Sequence, residues 1–496
     1  MISGQHFTRN VFWNLLGAGA PLLVAIVAIP LLIEGMGLSR FGVLTIAWMV
    51  VGYFSLFDFG LGRALTKLVA EKLGNGQLKE IPSLIWTAMS LMAVLGVLGA
   101  VVVAAISPWL VSDVLNIPLE LQSETLIAFY LLAASVPLVI SSTGLRGVLE
   151  AHQRFGIVNA VRIPLGIFTF IGPLAVLPFS NSLVPVVGVL VFARLVSWCA
   201  YIVLCLHVEP GLRHVSSINR ELVRPLISFG GWMTVSNIVS PLMVYLDRFL
   251  IGAVLTMTAV SYYATPYEVV TRLLIIPGAL MGVMFPAFAA VLVQDRNRAV
   301  HLYGRAVKYI FLSLFPIVLI IVAFAHEGLS LWLGDEFANN SYLVLQLLAI
   351  GVFLNSLANV PFGLIQSAGR PDLTAKLHVI ELPFYLLVLW SFLNTYGIVG
   401  VALAWLLRVS VDATVQFVMA NRMVSIELGQ TVRMFYVAGI ALITLGLGAI
   451  TPGLTTKLIF LLLILTLFTA ITWFYILSTD ERDKICNYLR FHHTAK

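Results

Sequence analysis

Charged residues sit deep inside apolar stretches of this chain: Arg63, Arg194, Arg248, Arg272 and Arg408, with the acids Asp58, Asp247, Glu268, Glu381 and Asp412. At membrane depth each such charge costs roughly 2.5–3.5 kcal/mol and faces a bundle interior or a wet cavity. Glu268 and Arg272 are four residues apart, as are Arg408 and Asp412, so each couple shares a helix face and can pair. Asp247 and Arg248 are adjacent and are expected on different faces. Two chemistries fit. The acids neutralise the arginines and lock the bundle, or the arginines line a cationic cavity. A guanidinium stays charged at any relevant pH, and its planar fork suits a pyrophosphate. Asp58, in Phe57-Asp58-Phe59-Gly60, and Glu381 are lone carboxylates that can couple ions by titrating, or can serve only as packing partners. Trp48, Tyr53, Tyr262, Tyr263 and Tyr267 are candidates to stack on sugars, or to anchor helices at the interface.

Enzyme chemistry finds little support. There is no GxxxxGK[ST] phosphate loop, so ATP-driven transport needs a separate subunit. The histidines are scattered, no His/Cys/Asp/Glu set has metal-ligand spacing, and no serine lies in a nucleophile elbow. No cofactor or metal is expected. Cys199, Cys205 and Cys486 are unclustered and suggest neither a disulfide framework nor a metal site.

The elements that must position these charges follow from composition. Of 496 residues, 60% are hydrophobic and only 10% charged, whereas soluble domains carry about 25% charged residues. The sequence predicts an all-α polytopic membrane protein. About twenty apolar residues span a bilayer. That rule predicts about fourteen spans, near 11–33, 42–66, 83–107, 125–146, 161–179, 184–206, 227–250, 261–291, 308–326, 342–365, 377–394, 398–420, 434–450 and 458–478. Ala18-Gly19-Ala20 resembles a leader cleavage site, but the apolar run continues to Ile33, so no cleavage is expected there.

Lys and Arg set the orientation. With the N-terminus inside, twenty-two of the 29 basic residues fall in inner segments and only Arg40 and Lys457 in outer loops. Both termini are therefore expected in the cytoplasm. Basic inner loops also explain the net charge of +6 without nucleic acid. Arg194, Arg272 and Arg408 each lie about ten residues from a helix start, near the midplane at 1.5 Å per residue.

Sliding the chain by 216 residues overlays Gly147–Arg162 on Gly363–His378, matching Gly147 to Gly363 and Arg154 to Arg370. A similar slide sets Arg194 opposite Arg408. The predicted organisation is two six-helix bundles, residues 1–215 and 216–430, and two appended helices with a tail at 431–496. Parallel repeats of this kind enclose a central cavity that opens alternately to either side.

Three stretches carry a family resemblance: Phe41–Leu65, the central YLDRFLIG…VSYYATPYEVVTRLLIIPGAL…FPAF run, and Tyr396–Arg408. With the 6+6+2 helix count, they resemble bacterial oligosaccharide flippases of the O-antigen type. These belong to the polysaccharide-transport family, within the multidrug/oligosaccharidyl-lipid/polysaccharide exporter superfamily. The resemblance implies a bacterial inner-membrane protein that moves an undecaprenyl-pyrophosphate-linked sugar repeat unit to the periplasmic leaflet for surface polysaccharide synthesis. It implies a lipid-linked oligosaccharide and membrane lipids as partners, with polymerase and chain-length proteins of the same pathway beside them. It marks Asp247, Arg248, Glu268 and Arg272 as members of the central motif. A multidrug or cation antiporter of the same superfamily is expected to concentrate carboxylates, not arginines, at the midplane. A polysaccharide polymerase or ligase needs a large basic outer loop, and the outer loops here are short and acidic.

Overall fold

The computed structural model describes residues 4–54, 60–152, 154–213, 218–223, 243, 246–294, 296–424, 428–479 and 481–483. Nearly all of these are helical and none is in a strand. A lipid-embedded chain must satisfy its backbone groups internally, and helices do so within each segment. Among the described residues, nine helices are long and apolar enough to cross a membrane. The chain is a multi-pass membrane protein. Two of the nine each join two helices across a kink: α1 (Gly4–Phe54) breaks at Gly37 and α12 (Pro371–Met423) breaks at Gly397, where the backbone turns to φ 80° and φ 59°. The expected spans 11–33 and 42–66, and 377–394 and 398–420, meet at these breaks.

The chain forms two compact units. The first comprises Met1–Ile275 and Ala375–Trp405. Besides α1 it holds α2 (Leu61–Gly74), α3 (Ile81–Trp109), α4 (Leu119–Ala151), α5 (Phe155–Val176), α6 (Leu183–Val208), the helical residues 246–254 and α7 (Met257–Thr271). Helix α4 is the core of this unit, packed on α2, α3 and α6, while α1 packs on α5 and α7. Polar contacts tie the helix ends. Glu124 on α4 takes hydrogen bonds from Arg40 Nε (2.7 Å), Ser182 Oγ (2.6 Å) and the Leu183 amide (3.2 Å) at the start of α6. Asn116 caps the end of residues 246–254 by donating Nδ2–H to the carbonyls of Ala253 and Leu255, 2.9 Å each. Where α1 crosses α7, a Cβ on Gly42 would lie 2.0 Å from the Met257 carbonyl oxygen. The crossing therefore needs a residue with no side chain.

The second unit comprises Ile276–Thr374 and Leu406–Lys496. Its helices are α8 (Ile275–Gln294), α9 (Arg296–Ala323), α10 (Ala325–Leu333), α11 (Asp335–Ser367), the end of α12, α13 (Leu428–Ile450) and α14 (Leu454–Ile471). Helix α9 packs on α11, α13 and α14, with Phe311, Phe315, Phe353 and Phe468 interlocked at ring separations of 5.1–6.2 Å. Two lysine pairs bind its ends, Lys457 to Glu327 (2.8 Å) and Lys308 to Glu481 (2.7 Å).

Three details depart from the expected spans. A new helix starts at Leu61 after a left-handed Gly60 (φ 71°), so Arg63 opens α2 instead of continuing the 42–66 run. A 3₁₀ turn, Arg272–Leu274, separates α7 from α8 inside the expected 261–291 span. The acidic stretch 327–341, expected as a loop, is α10 and the first turns of α11, with Leu329 and Phe337 buried. Hydropathy does not register turns of one to three residues, nor short amphipathic helices next to long spans.

Candidate functional site

Four charges meet in the first unit. Asp247 and Arg248 lie in the helical residues 246–254 and are 0% and 2% exposed. Glu268 is in the last turn of α7, and Arg272 follows in the 3₁₀ turn. Arg248 Nη2 donates to Glu268 Oε1 at 3.0 Å, and Arg272 Nη2 donates to Glu268 Oε2 at 3.3 Å. One carboxylate is thus shared by two guanidiniums. Asp247 accepts a hydrogen bond from Tyr263 Oη at 2.6 Å and another from the Arg248 amide at 2.6 Å. The Arg248 guanidinium also lies over the Tyr267 ring, 4.5 Å from its centroid. Tyr267 stacks on Tyr263 (6.2 Å) and meets Trp405 edge-on (6.1 Å).

Formal charge in this set sums to zero, and its burial is graded. Asp247 and Arg248 are sealed, whereas Glu268 and Arg272 keep 35% and 36% of their side chains exposed. A guanidinium has five N–H donors, so Arg272 retains donors for an external anion while its pairing with Glu268 holds it in place. The inner pair is structural. The outer pair can exchange partners.

The expected Glu268–Arg272 pairing is present. Asp247 and Arg248, expected on different faces, reach different partners, Tyr263 and Glu268. Both side chains are buried and both reach α7, Asp247 through Tyr263 and Arg248 through Glu268. Adjacent helical residues diverge by about 100°, but a tyrosine and a glutamate on one neighbouring helix span that angle. Tyr263 is the participant the sequence reading missed as a ligand of Asp247. Its spacing of four from Tyr267 and five from Glu268 was the available signal. Tyr262, Tyr263 and Tyr267 are buried, and Trp48 packs edge-on against Phe41 and Phe170, so these rings serve helix packing. The side chain of Tyr53 lies outside the described residues.

Arg194, on α6, lines a cavity among α4, α5 and α6 and makes no hydrogen bond or ion pair with the four-charge set. Asp412, in the second unit, is buried and accepts from Gln416 Nε2 at 2.7 Å; Arg408 precedes it by one helical turn and is half-buried. Glu381 is buried in the first part of α12. Asp58 and the side chain of Arg63 lie outside the described residues.

Comparison with known proteins places the chain. The family model described as "Polysaccharide biosynthesis protein" matches residues 7–292. The chain is 34% identical over 421 residues to a Shigella flexneri protein named "Putative O-antigen transporter", covering 84% of this chain and 98% of that one. It is 24% identical over 429 residues to the lipopolysaccharide biosynthesis protein WzxC of Escherichia coli K12, covering 82% and 78% of the two chains. Among solved structures it is similar to the lipid II flippase MurJ in an inward closed conformation (TM-score 0.73, 12% identity, 93% of this chain and 99% of that one). It is also similar to an inward-facing multidrug resistance MATE transporter of the MOP superfamily (TM-score 0.69, 14% identity, 83% and 98%). At these identities the structural likenesses establish the fold alone.

Proposed function

Because this chain belongs to the polysaccharide biosynthesis protein family, we propose that it is a flippase. Its substrate would be an oligosaccharide repeat unit linked through pyrophosphate to a polyprenyl lipid, moved from the cytoplasmic to the periplasmic leaflet of a bacterial inner membrane. The observation that carries this reading is the 34% identity extending over 98% of the Shigella flexneri protein named as an O-antigen transporter. The reading extends to alternating access by two six-helix bundles with two appended helices, fourteen spans in all, and both termini in the cytoplasm. Gly147 and Gly363, matched by the internal repeat, support the two bundles. Each lies at a tight contact inside its own unit, where an added Cβ would stand 2.4 Å from Thr66 Oγ1 and 2.2 Å from Met281 Cε respectively.

In this reading the arginines hold the anionic pyrophosphate. Arg272 offers donors, Glu268 positions it, and Asp247 and Arg248 fix the helix that carries the set; Arg194, Arg408 and Arg63 complete the cationic path. Asp58, Glu381 and Asp412 are the groups proposed to balance charge or couple an ion. An inside-negative potential favours outward movement of an anion by about 2.3 kcal/mol per charge per 100 mV, so the head group's own charge contributes to the drive. Polymerase and chain-length proteins of the pathway are the proposed partners.

The test is a strain lacking its own O-antigen flippase, complemented with this chain and with Arg272→Gln, Arg272→Lys, Arg194→Gln and Arg408→Gln. A substrate role gives normal protein levels, lost surface polysaccharide for the glutamine variants and partial rescue by lysine, which keeps charge and loses the fork. If all the glutamine variants fold and export normally, the cationic mechanism is wrong.

A further inference from the structure

Arg194 has two companions that hydropathy assigns to loop edges. The cavity among α4, α5 and α6 has a volume of about 290 Å³ and is lined by Arg146, Arg162 and Arg194, with Ser142, Thr169, Ser197 and Tyr201 among the polar groups. No carboxylate lines it. The one acid near these arginines is Glu150, 3.4 Å from Arg146 Nε, and among the described residues no other carboxylate lies within 4 Å of any of the three. Arg146 Nε is buried without a hydrogen-bond acceptor. The neighbouring hydroxyl protons are committed within their own helices: Ser142 donates to the Leu138 carbonyl (2.6 Å), Thr169 to Leu165 (2.9 Å) and Ser197 to Ala193 (2.9 Å). The donors free to meet a ligand are therefore guanidinium N–H groups and the Tyr201 hydroxyl. Three cations against one acid leave a surplus of positive charge at membrane depth, and such charges normally have counter-charges.

Position and rim narrow the ligand. Arg146 lies five residues before the end of α4 and Arg162 seven residues after the start of α5, about 8 and 10 Å from the α4–α5 connection at 1.5 Å per residue. Arg194 lies fourteen residues from the end of α6, about 20 Å along it. The guanidiniums thus run from head-group depth towards the middle of a hydrocarbon core about 30 Å thick. The two helices that carry Arg162 and Arg194 also expose apolar side chains close in sequence to the lining residues: Phe192, Leu195 and Val196 on α6, and Phe168 and Ile171 on α5. A cavity at the lower edge of the 300–1,000 Å³ range of ligand pockets suits a phosphate or pyrophosphate group rather than a saccharide unit.

We propose that the Arg146–Arg162–Arg194 cavity is a binding site for the phosphate or pyrophosphate group of a lipid, separate from the Asp247–Arg272 network. The phosphate seats among the guanidiniums and the acyl or prenyl chain lies along the exposed apolar faces of α5 and α6. Two lipids offer that chemistry, a polyprenyl pyrophosphate and a resident anionic phospholipid.

Purified full-length protein is titrated with farnesyl pyrophosphate, inorganic pyrophosphate, phosphatidylglycerol and phosphatidylcholine, with binding followed by native mass spectrometry and by ligand-induced thermal shift. Farnesyl pyrophosphate or phosphatidylglycerol should bind, phosphatidylcholine should bind poorly, and whichever anionic lipid displaces the other identifies the natural source. Arg162→Gln and Arg194→Gln should each weaken that binding about tenfold or more. The Arg162→Lys/Arg194→Lys double variant, which keeps the charge if the glutamine variants fold badly, should fall between them and the unaltered protein. Unchanged affinity in the folded variants overturns the site. Inorganic pyrophosphate binding as tightly as its farnesyl ester overturns the lipid assignment. A protein that binds here but flips nothing refutes the transport reading and leaves this site standing.

Discussion

Glu268→Gln should destabilise the protein far more than Arg272→Gln, although the two residues pair with each other. The Arg248–Glu268 bond is 3.0 Å long, with Arg248 2% and Glu268 35% exposed. Breaking a fully buried pair costs about 3–5 kcal/mol, and an exposed one about 0–1 kcal/mol. With one end sealed and the other a third exposed, the loss is about 2 kcal/mol, close to thirtyfold in the folding equilibrium. The Arg272–Glu268 pair is 3.3 Å long, spaced i,i+4 and about a third exposed at both ends, so its loss costs about 0.3–0.5 kcal/mol. Thermal unfolding of the purified variants in one detergent measures the difference. We expect the Glu268→Gln midpoint to fall by about 2 °C, at about 1 °C per kcal/mol for a chain of this length, and the Arg272→Gln midpoint to stay close to that of the unaltered protein. Salt should not close the gap, because the Arg248 end of the Arg248–Glu268 bond is shielded from solvent. Equal losses in the two variants would refute the reading that Glu268 is held mainly by the buried Arg248 and only loosely by Arg272.

Gly42→Ala puts a Cβ against the Met257 carbonyl, and overpacking of this kind costs about 1–3 kcal/mol; folded yield by size-exclusion chromatography should drop. Gly74→Ala, which meets nothing within 4 Å, should leave that yield unchanged. Partial burial pushes the Glu481 carboxyl up, yet hydrogen bonds from Lys308 Nζ, Tyr309 Oη and the Ser478 amide hold it down at about 2. A carboxyl lowered in the folded state stabilises above its ordinary value near 4.5 and loses that contribution as pH falls towards 2. Amide protection at Ser478 and Glu481 should therefore be constant from pH 7 to 5 and fall below, while Glu481→Gln should show the reduced protection already at pH 7. Reporter fusions at Asp113 and Asp335 should read as periplasmic, and a cytoplasmic reading at either would break the fourteen-span topology. Transport in vesicles should slow when the membrane potential is collapsed; flux unchanged without potential or pH gradient would leave consumption of the product as the drive.

Sequence alone determined the class, the principal helices and the family, because these depend on quantities summed along the chain. Twenty apolar residues make a span wherever they pack, and α4, α5 and α6 lie within a few residues of their expected ranges. The Glu268–Arg272 pair was legible for the same reason, since helical periodicity puts both on one face. The partners between helices were not. Only the tertiary structure set Tyr263 against Asp247 and Arg248 against Glu268, because helix rotation and crossing decide which side chains meet. It also drew Arg146 and Arg162, which a count of basic residues treats as topology signals, into one cavity with Arg194. Hydropathy measures the cost of taking a residue out of water, averaged over a window. It holds no information about which neighbour will lower that cost, and for a charged residue in a membrane the neighbour decides between scaffold and binding site.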